Sequence, residues 1–396
     1  MEEPKLTDLN LLYESFLVSM KGSAWKAEPQ AFEIDFLSQI VQLKHELEDH
    51  TYRTSKTTEF TLNERGKIRH IHGAKIRDRV VRHALCDGIL SPALRPYLIY
   101  NNGASQKGKG IRFAREQFEK DLHNFYLKYG DNAGFIGFMD LSKFYDNVQH
   151  ARIKAMVNPK IGEEPRWLLN EVLRSFEIDV SYMTDDEYRR CLGIKFDSVK
   201  YYETVTPEMK TGEKFMAKSV EIGDQVSQDV GVFFPTPIDN YVKIVRGQKW
   251  YGRYMDDMYV ICREKAEAEN VLAGAAEVAH CMGLFVNERK THIEPLGGQF
   301  RYLQTKYTLT ATGRVIKRIN PKSVTRERRK IKRYRSLLDK GKITYEDIEQ
   351  ACRCWMGNYA QLMSKKQIKH VKTLYKALFG KELSWRQQSN SKTGRN

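Results

Sequence analysis

"RYMDDMYV", residues 253–260, places two adjacent carboxylates in the middle of an apolar run. Tyr254, Met255, Met258, Tyr259 and Val260 read as half-buried β structure, so Asp256 and Asp257 fall at a tight bend between two strands. Neighbouring carboxylates at such a bend repel one another, and a cation relieves that repulsion. A second acid ends a comparable run: in "GFMDLSKFYDNV", Asp140 directly follows Phe138 and Met139. If the two runs pair in one sheet, three carboxylates that are far apart in sequence meet at one end of it. Such a cluster takes hard divalent cations through oxygen, and Mg²⁺ prefers a few carboxylates plus substrate phosphates. Two ions about 3.5–4 Å apart activate an attacking hydroxyl and stabilise the leaving oxygen of an in-line phosphoryl displacement. Either stretch alone also reads as turn aspartates that merely cap strands.

The rest of the chain bounds that reading. Its 396 residues and 46.2 kDa suffice for two or three subdomains. A net charge of +16 and a pI near 9.4 imply a polyanionic partner, of which nucleic acid is the commonest. No apolar stretch approaches the roughly 20 residues of a membrane helix, and the polar opening "MEEPKLTDLN" does not read as a secretory signal. A cytoplasmic location without membrane contact is the expectation. Of six cysteines only Cys352 and Cys354 lie close, and that pair lacks the second pair of a zinc knuckle. Free thiols are expected, with neither structural metal nor disulfide.

Hydrophobic spacing predicts helices over the first fifty residues, then strand–turn–strand around Gly66, turning helical near Asp78. "GIRFAREQFEKDLHNFYLKYG" is an amphipathic helix closed by Gly130, and a buried strand follows from Phe135. Between 157 and 221, helix-like "EEPRWLLNEVLRSFE" precedes strand-like fragments such as "VKYYETVT". Strand and helix alternate to about residue 308, one helix ending at Gly283, and the C-terminal third reads as all helix. There "RERRKIKRYR" and the preceding Lys322 give eight basic residues against Glu327 alone, a density that phosphate contacts explain better than a solvated face does. Trp355 and Tyr359 sit one turn apart, as core packing requires. The tail 386–396 is expected to be disordered.

Several of these stretches, in this order, resemble the motifs of prokaryotic reverse transcriptases of the retroelement type. "YMDD" at 254–257 resembles the polymerase turn, and "DLSKFYDNV" from Asp140 the motif of the first metal-binding aspartate. "GKIRHI" at 66–71 is similar to the fingers hairpin, and "FVNERKTHI" at 285–293 to the lysine-bearing segment behind the palm. "FRYLQTKY" at 300–307 stands where the primer grip usually reads Phe-Leu-Gly.

The resemblance implies an α+β right-hand polymerase. Its parts would be an N-terminal helical extension (1–55), fingers (56–135), a palm with an antiparallel sheet (136–308, with an insertion at 157–221) and a helical basic thumb (309–385). It implies that Asp140, Asp256 and Asp257, with the Leu141 backbone carbonyl, hold two Mg²⁺ ions, for which Mn²⁺ is expected to substitute. Tyr145, five residues after Asp140, would lie under the sugar and exclude a 2′-hydroxyl. Lys67 and Arg69 would hold the triphosphate, Ile222, Gly223 and Gln225 would line the nucleotide pocket, and Lys290 would protonate the leaving pyrophosphate. Tyr254, Tyr302, Leu303, Arg326, Arg329, Lys330 and Arg333 would contact nucleic acid.

The stretch "IGDQVSQ", 222–228, narrows the class. Ile222 and Gln228 replace the usual glutamine and proline, a form similar to that of diversity-generating retroelement polymerases. "FFPTPIDNY", with two prolines where a helix is expected, and the long 157–221 region depart from that group and point to phage-defence enzymes. The implied activity is RNA-directed DNA synthesis from deoxynucleoside triphosphates, with a cognate non-coding RNA as template and DNA as product. An accessory protein or a homo-oligomer stays open. A non-catalytic RNA-binding scaffold is the reading from another class.

Overall fold

The computed structural model describes residues 5–64 and 66–385; the expected disordered tail, 386–396, lies outside the described residues. The fold is α+β with antiparallel sheets. It divides into two compact units, Met1–Phe118 with Phe135–Ile293, and Glu119–Gly134 with Glu294–Asn396. The second unit takes in 294–308, which the sequence grouped with the preceding strands.

The first unit opens with helices α1 (Leu9–Met20), α2 (Ala27–Ile34) and α3 (Phe36–Glu48). A hairpin of β1 (Thr58–Glu64) and β2 (Lys67–Gly73) follows, its turn set by Gly66 at φ 81°, a backbone glycine adopts without strain. Helix α4 (Ile76–His83) runs through a π-helical turn, Ala84–Leu90, into the short α5 (Ser91–Leu94). The three N-terminal helices share one continuous core with α4. Arg79 of α4 donates to the Ser23 hydroxyl at 3.0 Å, and the Tyr52 hydroxyl donates to Asp78 at 2.7 Å.

Helix α6 (Ile111–Tyr129) precedes β3 (Phe135–Asp140), whose residues after Phe135 are all buried. Next come α7 (His150–Val157), α8 (Glu163–Ser175), β4 (Ile178–Asp179), α9 (Asp185–Gly193), α10 (Ser198–Thr204) and β5 (Phe215–Met216). Here "VKYYETVT", expected as strand, is helical. Asp197 caps α10 by accepting from the Lys200 amide, and Tyr201 anchors it in a small satellite core with Ile178, Val180 and Met216. A side-chain cap and one buried ring override the β preference of Val and Tyr.

Helices α11 (Gln225–Phe233) and α12 (Thr236–Asn240) flank Pro235, so the proline-bearing stretch is helical in two pieces. Then come β6 (Trp250–Tyr254), β7 (Asp257–Cys262), α13 (Lys265–Cys281) and β8 (His292–Pro295). The sheet order is β6-β7-β3-β8, with β7 antiparallel to both of its neighbours. Both faces of β3 and β7 are covered, which is why their sequences read as continuous apolar runs.

The second unit holds α6 from Glu119 on, the end of β8, a meander of β9 (Phe300–Tyr302), β10 (Thr305–Leu309) and β11 (Val315–Ile319), then α14 (Pro321–Asp339), α15 (Tyr345–Tyr359) and α16 (Lys365–Phe379). Strand β11 corrects the all-helical expectation beyond residue 309. "VIKRI" is too short to show a period, and β10 recruits it through full antiparallel pairing. The three helices close on a core of Val324, Ile331, Ile348, Cys352, Met356 and Val371, with Trp355 and Tyr359 packed at its edge. All six cysteines are free thiols. Among the described residues no helix is long and apolar enough to cross a membrane.

Candidate active site

The carboxylates meet because of register. Asp140, the last residue of β3, lies directly opposite Asp257, the first of β7. Tyr254 also pairs with Asp257, so Met255 and Asp256 form a two-residue hairpin turn. Met255 takes φ 55° there, in the left-handed region that a turn of this kind requires and a branchless glycine would fill more cheaply. The turn is held from below by Arg253, which donates to the Met255 carbonyl at 3.1 Å and to the Val232 carbonyl at 2.8 Å. Its guanidinium forks onto Asp239, also bonded by the Tyr251 hydroxyl, and the Arg253–Asp239 pair is fully buried.

A second strip completes the cluster. The segment 285–287 lies along 140–142: Ser142 donates to the Phe285 carbonyl at 2.6 Å, and the Asn287 amide donates to the Asp140 carbonyl at 2.8 Å. Leu141 therefore forms with Val286 a pair whose own backbone groups turn away from each other, which frees the Leu141 carbonyl from that strip. The Asp140 carboxylate accepts from the Asn287 side chain at 3.0 Å and from the Lys290 ammonium.

The Asp257 carboxyl is pushed up by desolvation among the neighbouring acids and by repulsion from Asp256 and Asp140, with Lys290 pulling the other way. Asp257 as a residue is exposed while Asp140 is only 5 % exposed, so the cluster opens to solvent on the β7 side. The donor chemistry fits a hard divalent ion: all-oxygen, anionic and self-repelling. The described residues nonetheless hold no group of three or more His, Cys, Asp or Glu side chains already arranged around a metal position. Lys290 is the internal cation that the carboxylates meet.

Tyr145 stands against the turn. Its hydroxyl lies 4.0 Å from the Met255 sulfur, and a Cβ added at Gly231 of α11 would sit 3.1 Å from it. Burial and then the nearby Asp256 push its phenol well above the ordinary range. Phe144 beside it is buried in the core, and Tyr145 packs half-buried on that core's edge.

Of the expected nucleotide residues, Ile222 and Gln225 line two different cavities. Gly223, at φ 106°, lies against the β1–β2 hairpin, where an added Cβ would meet Ile71 at 3.3 Å. Arg69 shares the Ile71 face of β2 by strand alternation. The side chain of Lys67 lies outside the described residues. Ile222 lines a polar cavity of about 200 Å³ with Glu59, His70, His72, Tyr202 and Glu221. Gln225 instead lines one of about 580 Å³ with Arg95, Lys107, Lys109 and Gln228. Asp224 between them caps α11 and pairs with the buried Arg82 of α4.

Of the expected nucleic-acid contacts, Tyr254 is half-buried at the end of β6. Tyr302, Leu303, Arg326, Arg329, Lys330 and Arg333 belong to the second unit. Tyr302 is buried in the meander, and Leu303 with Gln304 forms the β9–β10 turn, both at positive φ. The four basic residues are exposed on α14, which buries Val324, Glu327 and Ile331 instead.

Arg253, Asp239 and Asn287 escaped the sequence reading. Arg253 and Asn287 stand inside quoted motifs, and an arginine in a buried strand was a signal that it needs an internal carboxylate. Asp239, within "FFPTPIDNY", carried no local signal. Neither a protein-family model nor a curated protein sequence matches this chain.

Proposed function

We propose that the protein is an RNA-directed DNA polymerase with a right-hand arrangement, adding deoxynucleotides with two bound Mg²⁺ ions. The observation that carries the proposal is the convergence of Asp140, Asp256 and Asp257 at one hairpin turn, with Tyr145 against that turn and Lys290 on Asp140. Bound Mg²⁺ would activate the primer hydroxyl and stabilise the leaving oxygen. Asp140, Asp256 and Asp257, with the Leu141 carbonyl, would hold it. The residues' own tasks follow from their contacts. Asn287 and Lys290 fix the direction of the Asp140 carboxylate, and Lys290 holds a proton on its half-exposed ammonium where the departing pyrophosphate needs one. Arg253 fixes the turn that carries Asp256. Tyr145 walls the space beside that turn, which suits exclusion of a 2′-hydroxyl. Within this class we assign a bacterial or phage antiviral-defence enzyme copying its own non-coding RNA, on the "FFPTPIDNY" and 157–221 departures from diversity-generating members.

One contact favours a second reading, a non-catalytic RNA-binding scaffold: Lys290 already neutralises Asp140, as a structural ion pair would. Primer extension with labelled deoxynucleotides and Mg²⁺ separates the two. The polymerase reading expects synthesis by the wild type, its loss in Asp140→Asn and Asp256→Asn, and RNA affinity within a few-fold in all three, because binding rests on the Lys and Arg surface. A variant that extends at the wild-type rate overturns the site. A wild type that binds RNA but never extends a primer supports the scaffold.

A further inference from the structure

The second unit contains a cavity of about 690 Å³ between the β-meander and the start of α16. Its apolar lining, taken below as its floor, is Ile319, Pro321, Leu362 and Met363, of which Ile319 and Met363 are buried. Four cations, Lys306, Lys317, Arg318 and Lys366, line the cavity together with His370, and none of its described lining residues is acidic. Two of these charges are engaged, Lys317 with Glu119 and Lys306 with Gln299. Arg318, Lys366 and His370 have neither an ion pair nor a side-chain hydrogen bond among the described residues. Two cations without partners, Arg318 and Lys366, repel each other across one concavity and gain nothing internally, and His370 adds a ring N–H donor beside them. An anion seated between them reverses that sign.

We infer that this cavity receives one unpaired nucleotide of a single-stranded nucleic acid, base on the apolar floor and flanking phosphates on the Arg318, Lys366 and His370 rim. Floor and rim together select this occupant. A bare phosphate or a metal-bound anion would leave the floor uncovered, and an apolar peptide would leave the rim unneutralised. A duplex presents its phosphates but keeps its bases stacked inside, so it cannot reach the floor. An unpaired nucleotide offers a flat apolar face and negative charge at once. The volume exceeds that of one nucleotide, and Gln299 and Gln367 also line the cavity, where their amide oxygens are taken by Lys306 and the Ser364 amide and their N–H groups are left as donors for base edges. The site belongs to the second unit and does not depend on the polymerase reading, since it concerns binding and not synthesis.

The test uses the full-length protein and fluorescence anisotropy with a labelled 12-mer RNA, single-stranded or annealed to its complement, without added deoxynucleotides. Two variants probe rim and floor separately: Arg318→Glu/Lys366→Glu reverses exposed charges, and Leu362→Trp fills the half-buried floor with no change of charge. Single-strand affinity is expected to fall about tenfold in each, with duplex affinity within twofold. Equal loss for single strand and duplex would reduce the rim to part of the general positive field and overturn the site. So would a Leu362→Trp protein that binds single strands normally. Displacement of the labelled strand by millimolar AMP would assign the cavity to a free nucleotide and overturn the chain-bound occupant. A single-stranded DNA 12-mer in parallel tells which sugar the site prefers. Circular dichroism of each variant shows whether a loss comes from misfolding, and a milder Arg318→Gln/Lys366→Gln pair then replaces the reversal.

Discussion

Glu221 and His72 meet at 3.1 Å in a largely buried pair, where desolvation disfavours either charge. Desolvation pushes the Glu221 carboxyl up to about 8 against the pull of Arg82 and with a further push from Asp224, while desolvation holds His72 down to about 4. The sign for Glu221 follows from a folded value raised above its ordinary 4.5. Its contribution to stability is complete below that ordinary value and is lost as pH rises through about 8. Glu221→Gln should therefore stabilise the protein by about 1–2 kcal/mol at alkaline pH and leave it unchanged in mild acid. Urea unfolding at both pH values checks this; a gain independent of pH would mean that packing, not charge, is responsible. His72 works in the opposite sense, its contribution being lost as pH falls through about 4.

Arg253 offers a second test at a single buried pair. Removing one partner strands the other charge, which costs about 3–5 kcal/mol, whereas replacing both with apolar groups is often close to neutral. Arg253→Met and Asp239→Leu should each destabilise by that amount, and the double variant should recover most of it in urea unfolding. On the proposed polymerase function, primer extension should not recover, because the Met255 carbonyl has lost its donor. Recovered synthesis in the double variant would show that the fork does not position the turn.

The β1–β2 hairpin is gripped by the 157–221 region, a relation between elements. The Tyr202 ring of α10 stacks on His70 at 3.6 Å between centroids, and its hydroxyl lies 3.0 Å from the His72 ring. On the other side Gly223 abuts Ile71. A two-stranded hairpin is marginal alone, so its order depends on these neighbours. Tyr202→Ala should raise amide exchange across Thr58–Gly73 at least several-fold and leave β3 and β7 unaffected. Unchanged exchange in the hairpin would place the grip at Gly223 instead. Asp146 ties the same region to the site by accepting from the Ser198 amide at 3.0 Å and the Ser198 hydroxyl at 2.9 Å.

Net charge belongs to the molecule as a whole. A surplus of +16 attracts any polyanion, and the exposed Arg326, Arg329, Lys330 and Arg333 put part of it on one helix. Each lost phosphate contact lowers the salt slope of binding by about one unit. Reversal of Arg329 and Arg333 to Glu should flatten that slope by about two for RNA of either strandedness, unlike the strand-selective loss expected at the 690 Å³ cavity. An unaltered slope would mean that α14 does not face nucleic acid.

Much of this was legible locally. The apolar runs at 135–140 and 257–262 became strands because both faces are buried, and Gly66, Gly130 and Gly283 sit at positive φ where the expected elements end. Composition alone called for a polyanionic partner. The carboxylate convergence needed more, because it depends on a register between strands more than a hundred residues apart that no short window contains. The same holds for the internal cations. Lys290 and Asn287 reach Asp140, Arg253 reaches Asp239 and Arg82 reaches Asp224 only once the chain has folded back on itself. "VKYYETVT" and "VIKRI" went against their expectations for a related reason: a cap with one buried ring made the first a helix, and a neighbouring strand made the second a strand. Local propensity amounts to tenths of a kcal/mol per residue, and a buried contact outweighs it, so periodic stretches declared themselves in the sequence while short and polar ones waited for their partners.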